Sequence, residues 1–592
     1  MRAVFSPPKL SLVLLALLLA FTGGEGSVHA AGPLPRYELQ IKADPTTGSI
    51  EAVQRLWYIN TTLNTLDELL FTVVPARYNA FELDAARRDG DDVTWSLEDT
   101  ILAVPLTPAL GPGASTILEL EYRIQVPFRG GRFGLREGVL ALGNFFPLLQ
   151  VYRSPRLALA GQPLGWARTP YTEIGDAFFS EVADFALDLE LTRPALVASG
   201  ANLVQQEGLR YRFTAQGVRD FSLAISPSYR TQTREVDGVT LTSYYLPEHA
   251  AEARTYLDVG AAALRWMSQA YGRYPLDRLA LAEVSSAGST FVGQEYPGLI
   301  MLGSGLTAGG GGVAGRLGNI VAHEVAHQWF YGLVGNDQVY EPWLDEALAT
   351  WVSYEFLRAR YPELHPGAWS GLVALSRRER GLLGERPVDA SVYDFSDEGP
   401  YFVFVYRKGA QMIEALRESL GAEGLTEALR EYVRLYGGQV ATAADLADLL
   451  RQRTAGASDE IFSAYLARPP APGRARPEPE APAAAGAVGG LEAGGAEANR
   501  EQQSRGRQGA DGAGLAPAPA VLEARPVRGI PPEVAWAYDL RPGRGWRALS
   551  VAAAGFGALL LAAGLALRWL LPRTSRGRFY PEDWTVLPES EP

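Results

Sequence analysis

The chain has 592 residues, is 47% hydrophobic and 20% charged, and carries a formal net charge of −13 with no cysteine. That composition is globular and long enough for several domains, and its acidity excludes nucleic acid as a partner, since no basic run or aromatic stacking motif offsets it. Without cysteine there is no disulfide, no thiolate metal ligand and no lipid-modified cysteine, so packing and any bound metal must hold the fold.

Residues 1–30 read as a signal peptide: Arg2 and Lys9 form a basic start, Leu10 to Phe21 an apolar run too short for an easy bilayer span, and Val28-His29-Ala30 a cleavage-like tripeptide. Residues 31–232 read as an all-β domain. Tyr37, Leu39 and Ile41 alternate with polar residues, as do Leu118, Leu120, Tyr122, Ile124 and Val126, and then Phe185, Leu187, Leu189 and Leu191. Period-two patterns of this kind bury one face of a sheet, and Gly111-Pro112-Gly113 punctuates them as a turn. Asn60-Thr61-Thr62 matches a glycosylation sequon, a short pattern common by chance.

Residues 233–467 open with a helical stretch, Glu248 to Ala270, and a strand near Leu279 to Val284. A glycine-rich loop, Gly303 to Gly312, leads into a helix whose Leu317, Ile320, Val321 and Val325 are expected to pack inward. From 468 to 530 the composition turns to Pro, Ala, Gly and Glu without apolar periodicity, which predicts a disordered stalk. A juxtamembrane segment, 531–547, carries Trp536, Tyr538 and Trp546, suited to a membrane interface. Ala548 to Leu567 is charge-free over twenty residues, the length that crosses a bilayer core, and 568–592 would be a cytoplasmic tail. The expectation is a single-pass cell-membrane protein that meets the lipid bilayer through 548–567, with its folded part extracytoplasmic.

The most informative residues are His323-Glu324-Val325-Ala326-His327. Two histidines four apart project from one face of a helix within reach of one ion, and imidazole nitrogen suits zinc. Glu324 is placed beside the metal to take a proton from water. Eighteen residues, 328 to 345, leave enough chain for a second helix to return with Glu346, completing a His323, His327, Glu346 set for one zinc per chain. Three ligands leave a coordination position open, the mark of a catalytic rather than a structural zinc.

Three segments carry a resemblance: HEVAHQWFYGLV at 323–334, PWLDEALA at 342–349 and GQEYPG at 293–298. Together they resemble the M1 family of zinc aminopeptidases, a gluzincin family. The resemblance implies a multidomain architecture, with an N-terminal all-β, saddle-like domain followed by a thermolysin-like α+β, mostly helical catalytic domain. The C-terminal transmembrane helix is additional to it. Tyr406-Arg407-Lys408-Gly409 is similar to the family's YEKG motif, so Tyr406 inherits the support of the oxyanion. Residues 292–296 are similar to the GxMEN-like strand, so Gly293 and Glu295 inherit substrate binding, with Glu295 on the free α-amino group. Val292, Gln294 and Tyr296 depart from that motif, which predicts an altered first-residue pocket. Asp345 and Ala347 also depart, around Glu346, and Tyr331-Gly332 stands where the family has Gly-Asn. The family's β domain supplies part of the substrate wall, and Gln150 is the candidate for that contact. Lys408, one of three lysines, is expected to need a flexible ammonium and is assigned no chemistry.

The resemblance covers about 430 residues and leaves no room for the family's helical C-terminal cap, which predicts a more open cleft. The expected function is a membrane-anchored zinc aminopeptidase acting on peptides with a free N-terminus. A zinc endopeptidase is the rival within the enzyme class, and a non-catalytic stalked peptide-binding module the rival outside it.

Overall fold

The computed structural model describes residues 33–159, 161–304, 316–454 and 456–470. The readings of 1–30 as signal peptide, of 531–547, 548–567 and 568–592, and of nearly all the stalk lie outside the described residues. Among the described residues no helix is long and apolar enough to cross a membrane.

Alternation builds the first part. In Arg36–Ala43 every second residue from Tyr37 to Ala43 is buried, and Ser115–Gln125 and Ala183–Leu191 repeat the pattern. These strands belong to an eight-stranded sheet in the order Asn202–Glu207, Arg210–Val218, Ala183–Leu191, Arg36–Ala43, Ser49–Ile59, Ser115–Gln125, Phe81–Arg88 and Asp91–Asp92. Arg36–Ala43 and Ala183–Leu191 run parallel, and the other pairs antiparallel. Two four-stranded sheets share its core, in which Tyr37 stacks on Phe185 with ring centroids 4.9 Å apart. Asn60 is fully buried and its Nδ2 donates to the carbonyls of Asn64 and Leu110, which engages the atom a glycan would need.

The second part is built on a five-stranded sheet, ordered Arg230–Val236, Val239–Tyr245, Arg278–Val284, Leu299–Gly303 and Gly293–Tyr296, with the last at the edge among the described residues. The helix Ala250–Tyr271 lies between this sheet and the helix Arg316–Ala326. Gly260 permits the close approach, since a Cβ there would meet Leu281 at 3.2 Å and Leu241 at 3.4 Å. On Arg316–Ala326, Val321 and Val325 are buried as its periodicity predicts, but Ile320 is only half-buried and faces a cleft. The side chain of Leu317 lies outside the described residues.

Buried arginines tie the β part to the helical part. Arg219 donates to the carbonyls of Ser180, Tyr331, Leu333 and Gln439. Arg153 Nη2 lies 3.0 Å from Asp337 Oδ2, with both side chains under 5% exposed, and Arg153 also donates to the Ala167 carbonyl. Arg153→Met would strand the Asp337 carboxylate and should destabilise the protein by about 3–5 kcal/mol, whereas adding Asp337→Leu should recover much of that loss. Urea unfolding of the two variants measures this, and a single variant as stable as its parent would show that the pair carries no such weight.

Candidate metal centre and cleft

His323 lies in the last turn of Arg316–Ala326, and His327 is the first residue beyond it. Glu346 sits in the first turn of Trp343–Arg360, where the helix dipole favours a carboxylate. The three side chains meet: His323 Nε2 and His327 Nε2 are 3.0 Å apart, and Glu346 Oε2 is 3.2 and 3.3 Å from them. His327 Nδ1 is 3.1 Å from the Phe330 carbonyl, which only accepts, so Nδ1 carries the proton and Nε2 presents a lone pair. His323 hydrogen-bonds the Ala349 backbone, and Glu346 Oε2 has no hydrogen-bond donor. Three electron pairs converging without a donor repel unless a cation lies among them. The spacing fits zinc, because a tetrahedron with bonds of 2.0–2.1 Å has edges of about 3.3 Å.

The elements around the ligands hold them in place. Asp345, fully buried, accepts from the Glu346 backbone N at 2.8 Å and from Gln338 Nε2 at 2.6 Å, so it orients the strand of chain that carries Glu346 and does not face solvent. Tyr331, where the resemblance places a glycine, keeps a φ of 123°, in the region that favours glycine. The Arg219 bond to its carbonyl and its own N–H bond to the Val334 carbonyl hold that conformation, just past the His327 turn.

Glu324 points into the same cleft, a cavity of about 340 Å³. Its side chain rests on Gly293: a Cβ at that position would lie 2.2 Å from Glu324 Oε1. The glycine of the edge strand therefore makes room for the general-base candidate. Burial, with the nearby Glu346 and Asp176 carboxylates, pushes the Glu324 carboxyl up to about 8 against the pull of His327.

Glu295, two residues along the strand from Gly293, is 3% exposed, accepts from Gln294 at Oε2 and leaves Oε1 without a partner. Asp176 joins it from the β part, so that Asp176, Glu295 and Glu346 bring carboxylate oxygens within 4.8 Å of one another. Arg132 pairs with Asp176 and donates to the Gly175 carbonyl at 3.2 Å. Burial raises both Asp176 and Glu295; Glu346 raises Asp176 further against the pull of Arg132, and Asp176, Glu324 and Glu346 raise Glu295 further against the pull of His327. Asp176 and Arg132 went unseen in the sequence because they lie in loops without a motif. Gln150, the candidate for the β-domain contact, is not in the cleft: it is buried, donates to Thr72 Oγ1 and accepts from the Arg168 backbone. From the β part, Arg132, Gly175 and Asp176 line the cleft instead.

Tyr406 lies in a π-helical turn, Phe402–Lys408, that follows the short helix Glu398–Tyr401. Its hydroxyl donates to Glu346 Oε1 at 2.5 Å and its ring stacks on His323, with centroids 5.6 Å apart. Lys408 points elsewhere, donating to Glu385 and the Arg386 carbonyl, and so ties down the loop before the turn. Val292 lines the cleft, whereas Tyr296 is buried behind the strand and donates to Asn144 Oδ1 at 2.8 Å. Of the altered motif positions, Val292 thus reaches the cleft and Tyr296 does not.

Residues 256–465 match the model of the peptidase family M1 domain. The chain is 32% identical to "Aminopeptidase M1" of Arabidopsis thaliana over 154 residues, 25% of this chain and 17% of that protein. It is 26% identical to "Leucyl aminopeptidase" of Saccharolobus solfataricus over 160 residues, 26% of this chain and 20% of that protein. The matches therefore span about a fifth or less of the length of these relatives. The fold is similar to the crystal structure of an M1 zinc metallopeptidase from Deinococcus radiodurans, with a TM-score of 0.53 and 18% identity over 74% of this chain and 96% of that one.

Removing zinc with a chelator should expose the cost of the buried carboxylates. Asp176, Glu295 and Glu324 hold their protons more tightly folded than unfolded, so their contribution to stability is present at low pH and is lost as pH rises. For Glu324 the window runs from the ordinary 4.5 to about 8. Zinc should therefore raise the melting temperature more at pH 8 than at pH 5.5. Thermal unfolding of loaded and stripped protein across that range tests it; a zinc effect equal at both pH values would contradict it.

Proposed function

The chain belongs to peptidase family M1 through residues 256–465, and from that premise we propose that it is a zinc aminopeptidase removing single residues from the N-terminus of peptides. The observation that carries the reading is the unpartnered, buried Oε1 of Glu295 beside Asp176, set next to the His323, His327, Glu346 triangle. Asp176, Glu295, Glu324 and Glu346 crowd one cleft in which one guanidinium, Arg132, pairs with Asp176, and burial and crowding raise Asp176, Glu295 and Glu324 for want of positive charge. A substrate ammonium supplies the missing charge, and an internal peptide segment does not. This favours the aminopeptidase over an endopeptidase. In further support, a variant of the Deinococcus radiodurans metallopeptidase is described as bound to a Tyr-Ser-Ala substrate.

His323, His327 and Glu346 would hold zinc, which when bound polarises a carbonyl oxygen and lowers the pKa of water to roughly 7. The chain's own residues do the rest. An extended peptide lies along the free rim of Gly293–Tyr296, with its ammonium on Glu295 and Asp176. The first peptide carbonyl then lies beside Gly293, where Glu324 rests. Glu324 takes one proton from the attacking water as the oxygen bonds to the carbonyl carbon, and returns it to the departing amine as the C–N bond breaks. The Tyr406 hydroxyl turns from Glu346 toward the carbonyl oxygen and donates to the charge that develops there.

The further proposal is that this enzyme is tethered to a membrane with its cleft outside the cytoplasm. It is supported by the leader-like residues 1–30 and the charge-free run from Ala548 to Leu567.

With the full chain, free peptides should shorten stepwise and N-acetylated ones should persist. Glu324→Gln should lower kcat by about 10²–10⁴-fold with its zinc content unchanged, and Tyr406→Phe should lower it by about 10²–10³-fold. Mass spectrometry of the products decides: internal cuts in acetylated peptides would establish the endopeptidase, and intact peptides with zinc bound the binding module. Recovery of the full chain in the soluble fraction, not released by detergent, would refute the tether.

A further inference from the structure

The wall that carries Gly293 and Glu295 continues along the cleft through Val292, Phe291 and Thr290. The facing wall carries Tyr406, Phe402 and Glu398. At the rim the two walls touch: Thr290 Oγ1 donates to Glu398 Oε2 at 2.6 Å, across 108 residues of sequence. Thr290 is exposed and Glu398 half-buried, so the bond faces solvent at the mouth of the cleft. Neither residue touches the His-His-Glu triangle or the Asp176 and Glu295 carboxylates in any hydrogen bond or ion pair described above.

The order of residues along this wall sets a direction. Glu295 marks the amine end, Gly293 with Glu324 the bond to be cut, and Thr290 the side on which the leaving peptide extends. Three residues of backbone reach at most about 10 Å, so the Thr290–Glu398 bridge stands no farther than the second or third residue after the cut bond.

We propose that the Thr290–Glu398 bridge selects substrates by length. It rests on the aminopeptidase reading and gives that reading a substrate class. With the bridge closed, the cleft takes a terminal residue followed by one or two more, and a longer leaving segment passes only while the bridge is open. A water-facing hydrogen bond to a carboxylate is modest in strength and opens intermittently, so the selection is graded and not absolute.

The test uses the zinc-loaded full chain and peptides that share a first residue: a single-residue chromogenic amide, a tripeptide and an octapeptide. Thr290→Val removes the donor and Glu398→Ala the acceptor, whereas Glu398→Gln keeps an oxygen that accepts from Thr290. Thr290→Val and Glu398→Ala should raise the octapeptide to tripeptide ratio of kcat/KM about three- to tenfold. Glu398→Gln should hold the wild-type ratio, and all three should cleave the single-residue amide as the parent does, which also reports intact folding. An unchanged ratio in the first two variants overturns the proposal, as does a Glu398→Gln that behaves like Glu398→Ala, since charge and not the bridge would then govern. A wild-type protein that leaves the single-residue amide uncut is a different result: it removes the aminopeptidase reading and this proposal with it.

Discussion

Asp176, Glu295, Glu324 and Glu346 are brought out of water around one cavity, with Arg132 as the guanidinium among them. Burying charge without an answering charge costs several kcal/mol per group, and the rest of the site reads as a response to that cost. The two imidazoles turn their Nε2 atoms toward Glu346 Oε2, leaving a position for a divalent ion. Tyr406 takes the other oxygen of Glu346, and Gln294 one oxygen of Glu295. Beside the oxygens turned toward the metal position, Glu295 Oε1 and Glu324 Oε2 stay unpaired, and a cation is the chemistry that would satisfy Glu295 Oε1. On the proposed reading, metal affinity and recognition of a substrate's first residue would be two parts of one electrostatic problem.

Much of this was legible in the sequence where regular local structure carries chemistry. Two histidines on one helical turn and a glutamate at the start of the next long helix are periodic facts, and the side chains converge as that spacing requires. The sheet-forming alternation of Tyr37, Leu39 and Ile41 depends on the same kind of period. Asp176 escaped because its position is set by tertiary packing, through Arg132, with no local pattern to announce it. Gln150 failed for the converse reason: a polar residue in a loop reads as available, yet its amide is engaged by Thr72 and Arg168 behind the cleft. Asn60 fails in the same way as a glycosylation site, because a sequon has no term for burial. Ile320 had the right period and the wrong neighbour, since the cleft occupies the space where a core would otherwise continue.

The two structural parts are joined by groups that cannot be left alone. Arg219 satisfies four backbone carbonyls, two of them in the turn after the HExxH helix, and Arg153 answers Asp337 in the same stretch. The turn that follows His327 is thus anchored from the β part, which explains how Tyr331 keeps a backbone conformation suited to glycine. Asp176 reaches the cleft across the same junction. The β part contributes to the site by position and by charge, and the candidate metal ligands come from the helical part alone.

An unpaired strand rim is ordinarily a hazard, because it invites edge-to-edge association with any other chain. Here the rim of Gly293–Tyr296 lies along the floor of the cleft, walled on the far side by Phe402 and Tyr406. A folded protein cannot present its own sheet edge at that depth, whereas a loose chain end can. The recess thus gives one device two uses: it shields the molecule from sticking to its own kind, and on the proposed reading it would spare folded neighbours from digestion.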